Sequence, residues 1–155
     1  MGRWLGLDPG ERRIGVALSD PSGTIASPYG FLDVGTELPV AELADLCIAH
    51  DVSCIVIGLP LRLDGSEGSA AGRSRDLGAA IADQVGVDIV YRDERFTTVT
   101  AEAALIEGKV RRSERKTKRD QVAAAVMLQG HLDAQQRLNR LDTDGRYGDD
   151  QRSDR

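Results

Sequence analysis

The sequence predicts an α/β domain in which a mixed sheet is flanked by helices. Apolar runs of strand length occur five times, and segments with helical apolar spacing separate the later ones. Short turns join the first three strands, which predicts an antiparallel half, and the later strands alternate with helices, as in a parallel half. The length of 155 residues fits one domain with a core of its own.

The antiparallel half begins with a strand over residues 4–8 that the pair Pro9-Gly10 ends. Apolar and small residues alternate over residues 14–18, which indicates the second strand. A third, weaker strand covers parts of residues 25–34. Thr36 is then expected to cap a helix that has Pro39 in its first turn.

The parallel half is built around residues 54–59, a continuous apolar run typical of a strand covered on both faces. The remaining predicted elements are a helix from Ser66, a strand over residues 87–91, a short helix from Thr97 or Thr98 to Gly108, and a last helix that Asp120 opens. Residues 142–155 lack apolar periodicity and are rich in Gly and Asp. We therefore expect a folded domain over residues 1–141 and a disordered acidic tail after it.

The composition excludes membrane proteins and favours the cytoplasm. No apolar stretch approaches the ~20 residues that a membrane span requires, and Asp8 interrupts the N-terminus too early for a signal peptide. Cys47 and Cys54 form neither a disulfide framework nor a zinc spacing, so both are expected to be small buried hydrophobes in a reducing compartment. A redox link between subunits is the alternative.

Charge is distributed unevenly along the chain. The net charge is −5, yet residues 109–119 contain seven bases and one acid, a local charge of +6. The other 144 residues carry −11. A basic stretch on an acidic body is typical of a segment that binds a polyanion such as nucleic acid. The alternative is a solvated loop, because runs of like charge repel and stay disordered.

Three carboxylates are placed where predicted elements begin or end. Asp8 ends the first strand, Glu94 follows the strand over residues 87–91, and Asp120 opens the last helix. Carboxylates that converge at one edge of a sheet suit Mg²⁺ or Mn²⁺, and two such ions hydrolyse phosphodiesters. Each residue also has an ordinary structural explanation, as a turn residue, a surface ion pair and a helix N-terminal residue respectively.

Two glycine-rich turns add a phosphate-binding possibility. Residues 8–15 have the form D-x-G-x₄-G, and residues 58–68 join the buried strand to the next helix through three glycines, with Arg62 between them. Backbone N–H groups at a helix N-terminus bind phosphate. For either pattern alone, a tight turn that requires positive φ at glycine is the better explanation.

Four segments in this order resemble the YqgF (RuvX-type) family of Holliday-junction resolvases and pre-16S rRNA nucleases. They are DPGERRIGVALSD (8–20), GLPLRLDGSEG (58–68), DERFTT (93–98) and DQVAAAVMLQ (120–129). The resemblance implies an RNase H-like fold with a five-stranded mixed sheet, and metal-dependent phosphodiester hydrolysis. It also places the catalytic and metal-binding roles on Asp8, Glu94 and Asp120.

The same resemblance suggests roles for the neighbouring residues. Asp93 and Asp64 are possible outer metal ligands. The expected nucleic-acid contacts are Arg12, Arg13, Arg62, Arg95, Arg111, Arg112, Arg115, Lys116, Lys118 and Arg119.

The leading hypothesis is thus a nuclease with Mg²⁺ or Mn²⁺ that acts on an rRNA precursor or on branched DNA. Symmetric cleavage of a four-way junction requires two active sites, so that activity predicts a homodimer. Two alternatives remain open. One is a non-catalytic RNA-binding ribosome assembly factor, and the other is a single-domain nucleotide-binding relative of the actin-like ATPases.

Overall fold

The computed structural model describes residues 2–93 and 112–150, with the side chains of residues 122–142 described in the second range. The elements in the described ranges are β1 (Arg3–Pro9), β2 (Arg13–Ser19), β3 (Ala26–Asp33), α1 (Val40–Ala49), β4 (Val52–Leu59), α2 (Ser69–Gln84), β5 (Asp88–Asp93) and α3 (Arg112–Asp150).

The five strands form one mixed sheet in the order β3-β2-β1-β4-β5. β1, β2 and β3 pair antiparallel, whereas β1, β4 and β5 pair parallel. The expected mixed sheet with an antiparallel half is therefore confirmed. Because β1, β4 and β5 point the same way, their last residues lie at one edge of the sheet, which we name the carboxyl edge.

The two faces of the sheet carry separate apolar cores. On one face α1 and α2 pack on β1 and β4, where Leu7 and Ile57 are fully buried with Leu77 of α2. On the other face α3 packs on Val56 of β4 through Leu128. β4 is thus buried on both faces, as its continuous apolar run predicts.

α3 lies unusually close to β1 at Gly6. A Cβ at Gly6 would stand 2.9 Å from the Leu128 Cβ and 3.4 Å from the Ala124 carbonyl oxygen. Earlier in β1, the Trp4 ring packs on the His131 ring at 5.3 Å. As β1 advances from Trp4 to Gly6, its contacts on the helix step back toward the N-terminus, so α3 runs antiparallel to β1.

Gln129 ties α3 to the connection between β2 and β3. Its side-chain oxygen accepts a hydrogen bond from the Ala26 N–H at 2.8 Å, and its side-chain N–H donates to the Thr24 carbonyl at 2.9 Å. The Gln129 amide thus satisfies two backbone groups of one loop. These two bonds fix both the position of α3 along its own axis and its distance from the sheet.

The helix starts differ from the sequence expectations. Thr36 does not cap α1, because Pro39 stands at the N-cap position and no side chain caps the helix. α2 begins at Ser69 after Gly68, not at Ser66, because Ser66 is engaged in a turn with Asp64 instead.

The last helix begins at Arg112 and not at Asp120. Most of residues 112–119 are Arg, Lys and Glu, which are good helix formers, so the basic segment extends the helix instead of preceding it as a loop. The backbone is also helical over residues 142–150, where the sequence analysis expects a tail; the domain boundary at residue 141 stays a prediction. The short helix expected to end at Gly108 lies outside the described residues.

Both cysteines are buried and free, as expected. Burial raises the pKa of the Cys54 thiol to about 11, and the nearby Asp88 carboxylate adds to the effect. Burial also raises the pKa of Cys47. Both thiols are therefore protonated and unreactive near neutral pH. Across the described residues, no helix has the length and apolar character that a bilayer crossing demands.

We predict that Gly6→Ala destabilises the protein by about 1–3 kcal/mol, since the added Cβ forces α3 off the sheet. The matched control is Gly72→Ala in α2, where no atom lies within 4 Å of the added Cβ. That change should stabilise by about 0.5–1 kcal/mol through helix propensity. Urea unfolding followed by circular dichroism measures both, and equal effects of the two variants would contradict the close approach.

Asp20 organises the turn that precedes β3. Its carboxylate accepts hydrogen bonds from the N–H groups of Thr24 at 2.8 Å and Ile25 at 3.0 Å, and from the Ser22 hydroxyl. These bonds, that of Ser22 foremost, lower the Asp20 pKa to about 2. A carboxyl whose pKa is lower in the folded state stabilises the fold above its unfolded pKa, and the contribution disappears as pH falls toward the folded value.

We therefore predict that Asp20→Ala lowers the free energy of unfolding at pH 7, and that the loss shrinks as pH falls from about 4 toward about 2. Urea unfolding of both proteins across this pH range measures the difference. A loss that is independent of pH would show that the charged carboxylate does not hold the turn.

Candidate active site at the carboxyl edge of the sheet

The register of the parallel strands brings two of the predicted acidic residues to the carboxyl edge. Leu7 of β1 pairs with Ile57 of β4, and Asp8 is the next residue. Leu59 at the end of β4 pairs with Asp93 at the end of β5. Asp8 and Asp93 therefore end two strands that are separated only by β4.

Asp8 belongs to the face of the sheet that α3 covers. Leu5 and Leu7 belong to the core under α1 and α2, whereas Gly6 contacts Leu128 of α3. Successive residues of a strand face opposite sides, so Asp8 shares the face of Gly6. It is half-buried there.

Glycines surround Asp8 on this face. Gly15 is its partner across the antiparallel pair. Gly58 follows Ile57 and so lies beside Asp8 on the parallel side. Gly6 lies two residues before Asp8 in β1, on the same face of the sheet. Glycines inside strands mark places where another group approaches the backbone closely. At Gly6 that group is Leu128 of α3.

The direction of α3 predicts where Asp120 lies. Trp4 meets His131, and Gly6 meets Leu128 and Ala124. Two strand residues advance by nearly the same distance as one helical turn. One further step along β1 reaches Asp8, and its level on the helix is therefore expected between Ala124 and Asp120, which lies one turn earlier.

Asp8 is the one member of the predicted trio whose side chain lies within the described residues. Glu94 and Arg95 lie outside the described residues, directly after Asp93, and only the backbone of Asp120 is described. Among the described residues, no three His, Cys, Asp or Glu side chains are grouped as metal ligands. The assignment of Asp8, Glu94 and Asp120 as the catalytic set stays a prediction.

A closed loop follows β4 at the same edge. Leu61 and Glu67 form an isolated bridge, and the Arg62 N–H donates to the Ser66 carbonyl at 2.9 Å. Asp64 accepts hydrogen bonds from the Ser66 hydroxyl at 2.6 Å and the Ser66 N–H at 2.9 Å. These bonds lower the Asp64 pKa. Asp64 thus stabilises the loop, and its expected role as an outer metal ligand stays a prediction.

Arg62 stands over the N-terminus of α2. A Cβ at Gly68, the N-cap residue, would lie 3.1 Å from the Arg62 Nε, and no side chain caps the helix. The guanidinium and the free N–H groups of the first turn together make this corner electropositive. The sequence analysis expects a phosphate contact at this corner.

The two arginines after Asp8 differ in their surroundings. Arg12 is exposed in the turn between β1 and β2, and its carbonyl accepts a hydrogen bond from the Val34 N–H. Arg13 stacks over the Phe31 ring at 4.9 Å. Arg12 is therefore placed more openly toward a ligand at the carboxyl edge.

Sequence reasoning overlooked Arg92 of β5. A Cβ at Gly130 of α3 would lie 3.2 Å from an Arg92 guanidinium nitrogen, so Arg92 shares the α3 face with Asp8. The pKa of the buried His131 is lowered chiefly by desolvation of the imidazole, and the positive charge of Arg92 lowers it further. The available signal was a cation inside a strand, one residue before the DERFTT segment.

The family model described as RuvX, Holliday junction resolvase, matches residues 2–134. The chain belongs to the RuvX family. It is 42% identical over 135 residues to the "Putative pre-16S rRNA nuclease" of Lactococcus lactis subsp. lactis, covering 85% of this chain and 94% of that relative. The protein of the same name from Myxococcus xanthus is 43% identical over 135 residues, covering 85% of this chain and 88% of the relative.

Among solved structures, T. thermophilus RuvC in complex with a Holliday junction substrate matches with a TM-score of 0.56 at 15% identity. The match covers 88% of this chain and 96% of that chain. It confirms the expected RNase H-like fold. The expected family is confirmed as well, and with it, at the level of the family, the expectation of a phosphodiester-hydrolysing nuclease.

Proposed function

We propose that this RuvX family member is a divalent-metal-dependent endonuclease that cleaves structured nucleic acid, either the precursor of 16S rRNA or a four-way DNA junction. The observation that carries the proposal is the placement of Asp8. It lies on the α3 face of the carboxyl edge, and because α3 runs antiparallel to β1, we expect Asp120 to lie near its level.

The basic segment supports the same conclusion. Residues 112–119 are helical and continue directly into Asp120. A helix holds its charges at fixed spacing along one axis, so the segment offers a directed track for a phosphate backbone toward the carboxyl edge. Phosphate contacts of this kind supply most of the affinity for nucleic acid and fix its register.

The donor set fits Mg²⁺ or Mn²⁺. Asp8, Glu94 and Asp120 offer only carboxylate oxygens, which these hard cations prefer. When bound, such ions activate water and stabilise the leaving oxygen of a phosphodiester. Asp8 is held on β1 and Asp120 belongs to α3, while Asp93 and Asp64 stay candidate outer ligands.

The basic side chains are assigned to contacts with the substrate phosphates. Arg12 lies in the turn after β1 and Arg62 in the loop after β4, and Arg95 follows β5 in the sequence. The remaining contacts are Arg13 and the basic track of Arg111, Arg112, Arg115, Lys116, Lys118 and Arg119. Cleavage of a four-way junction further requires a homodimer with two such sites. Both substrates are found in the bacterial cytoplasm, where we place the protein.

We predict that Asp8→Asn abolishes metal-dependent cleavage while folding and binding persist. The expected loss exceeds about 100-fold, since changing even the outer partners of metal ligands costs 10–100-fold. The assay uses a 5′-extended small-subunit rRNA precursor and a synthetic four-way junction, each with Mg²⁺, Mn²⁺ or EDTA. Asp83→Asn, an exposed residue near the far end of α2, is the matched control and should cleave normally.

The outcomes separate the hypotheses. Cleavage of one substrate that Asp8→Asn removes identifies both the reaction and the substrate. Binding without cleavage by the wild-type protein under every metal condition would contradict the proposal and favour the assembly factor. Full activity of Asp8→Asn would contradict the assignment of the site.

We further predict that neutralising the basic track weakens binding in a salt-dependent way. The triple change Arg112→Gln, Arg115→Gln and Arg119→Gln should reduce the slope of log K against log salt by about 2–3, for three lost phosphate contacts. Fluorescence anisotropy over a salt series measures the slope. The control Arg3→Gln, Arg137→Gln and Arg140→Gln removes the same charge elsewhere, and an equal reduction there would show a non-specific effect of net charge.

A further inference from the structure

We propose that a cavity on the α2 side of the β1 end binds one unpaired nucleobase of the substrate strand, with guanine as the preferred base. The cavity has a volume of about 240 Å³ and lies between the turn after β1, the connection from β3 to α1, and α2. We name it the base pocket. The proposal rests on the proposed nuclease function and adds a specificity element to it.

The base pocket begins next to the candidate active site. Its wall includes Pro9 and Gly10, the two residues that follow Asp8. Asp8 belongs to the α3 face, whereas Pro9, by alternation, belongs to the opposite face. A strand that places a phosphate at Asp8 can therefore turn a neighbouring base around the end of β1 into the pocket.

The size and walls of the base pocket suit one ring system. Pockets for drug-sized ligands measure about 300–1,000 Å³, so a cavity of about 240 Å³ is too small for a whole nucleotide with its sugar and phosphate. Its apolar walls come from Ile14, Val34, Leu38 and Leu77. An unstacked base finds there the apolar contact that it loses on leaving its neighbours.

Arg73 is poorly satisfied by the protein itself. Its Nη1 lies 4.0 Å from the Glu11 carboxylate, beyond hydrogen-bond distance, and the Arg73 side chain is 38% exposed. Its Nε is buried with no hydrogen-bond partner among the described residues. An unpaired buried donor is unfavourable, and a small rotation of the guanidinium toward an acceptor in the pocket would satisfy it.

The polar rim of the base pocket matches guanine. Arg73 and Asp76 are three residues apart on α2, so both lie on the helix face that lines the cavity. Guanine presents two acceptors, O6 and N7, to a guanidinium. It also carries N–H donors at N1 and N2 that a carboxylate such as Asp76 accepts. Adenine has an amino group where guanine has O6, so its N–H donors would face the N–H donors of Arg73.

The first experiment measures binding without cleavage. Methyl chemical shifts of the full-length protein are followed by NMR while guanosine, adenosine, cytidine or uridine is added; these nucleosides carry no phosphate that would bind the basic track. We expect guanosine to shift the methyl signals of Ile14, Val34 and Leu77 most. Arg73→Met should weaken guanosine at least about tenfold, since a bidentate pair contributes roughly 1–3 kcal/mol.

The control is Arg75→Met, which removes a neighbouring guanidinium that pairs with Glu67 at 2.7 Å outside the pocket. It should leave guanosine binding unchanged. Shifts confined to other methyl groups, equal responses to the four nucleosides, or equal losses in the two variants would overturn the proposal.

The second experiment separates this proposal from the nuclease. Each guanine near the cleaved bond is replaced in turn by an abasic site, and cleavage by wild type and Arg73→Met is compared. We expect one position at which the abasic site slows wild type about tenfold but leaves Arg73→Met unchanged. Cleavage with no such position and no nucleoside binding overturns the pocket and leaves the nuclease standing. Guanosine binding without any cleavage supports the pocket and contradicts the nuclease.

Discussion

The packing of α3 against β1 at Gly6 is the constraint on which the candidate site depends. Without a side chain at Gly6, the helix comes so close that an added Cβ would be 2.9 Å from the Leu128 Cβ. Contacts of Trp4 with His131 and of Gln129 with two backbone groups fix the helix along its axis. Because both partners are rigid elements, this register determines which helix residue stands opposite Asp8. A site on two flexible loops would not hold two carboxylates at a fixed separation.

The mixed topology gives one sheet edge two different faces. Parallel pairing of β1, β4 and β5 collects the ends of three strands at the carboxyl edge. On the α3 side lies Asp8, which is half-buried near the end of β1. On the α2 side, apolar residues and Arg73 form the base pocket. Since alternate residues of β1 point to opposite sides, Asp8 and Pro9 connect the proposed phosphodiester site with the proposed base pocket.

The fold was predictable because its signals are local, whereas the helix starts and the pocket were not. The continuous apolar run of β4 and the alternation in β2 each lie within one element, and both strands formed as predicted. Ser66 is a good N-cap residue, but Asp64, two positions earlier, engages it in a turn. For residues 112–119 the sequence predicted a basic segment that precedes the last helix, although the individual residues favour a helix. Pro9 and Arg73 are far apart in sequence, so no local pattern announces the pocket. The roles of Glu94 and Asp120 stay predictions, because Glu94 and the side chain of Asp120 lie outside the described residues.

The basic segment of the chain coincides with the start of α3. Outside residues 109–119 the chain carries −11, so most of its surface repels a polyanion. Residues 112–119 form the first turns of α3, and the positive end of the helix dipole adds to their charge. Under the proposed function, this helix is the main segment that attracts the nucleic acid, and Arg12 and Arg62 are smaller contacts at the carboxyl edge. On the same proposal, repulsion by the acidic body disfavours approaches that do not meet these cations, and so it helps to orient the substrate.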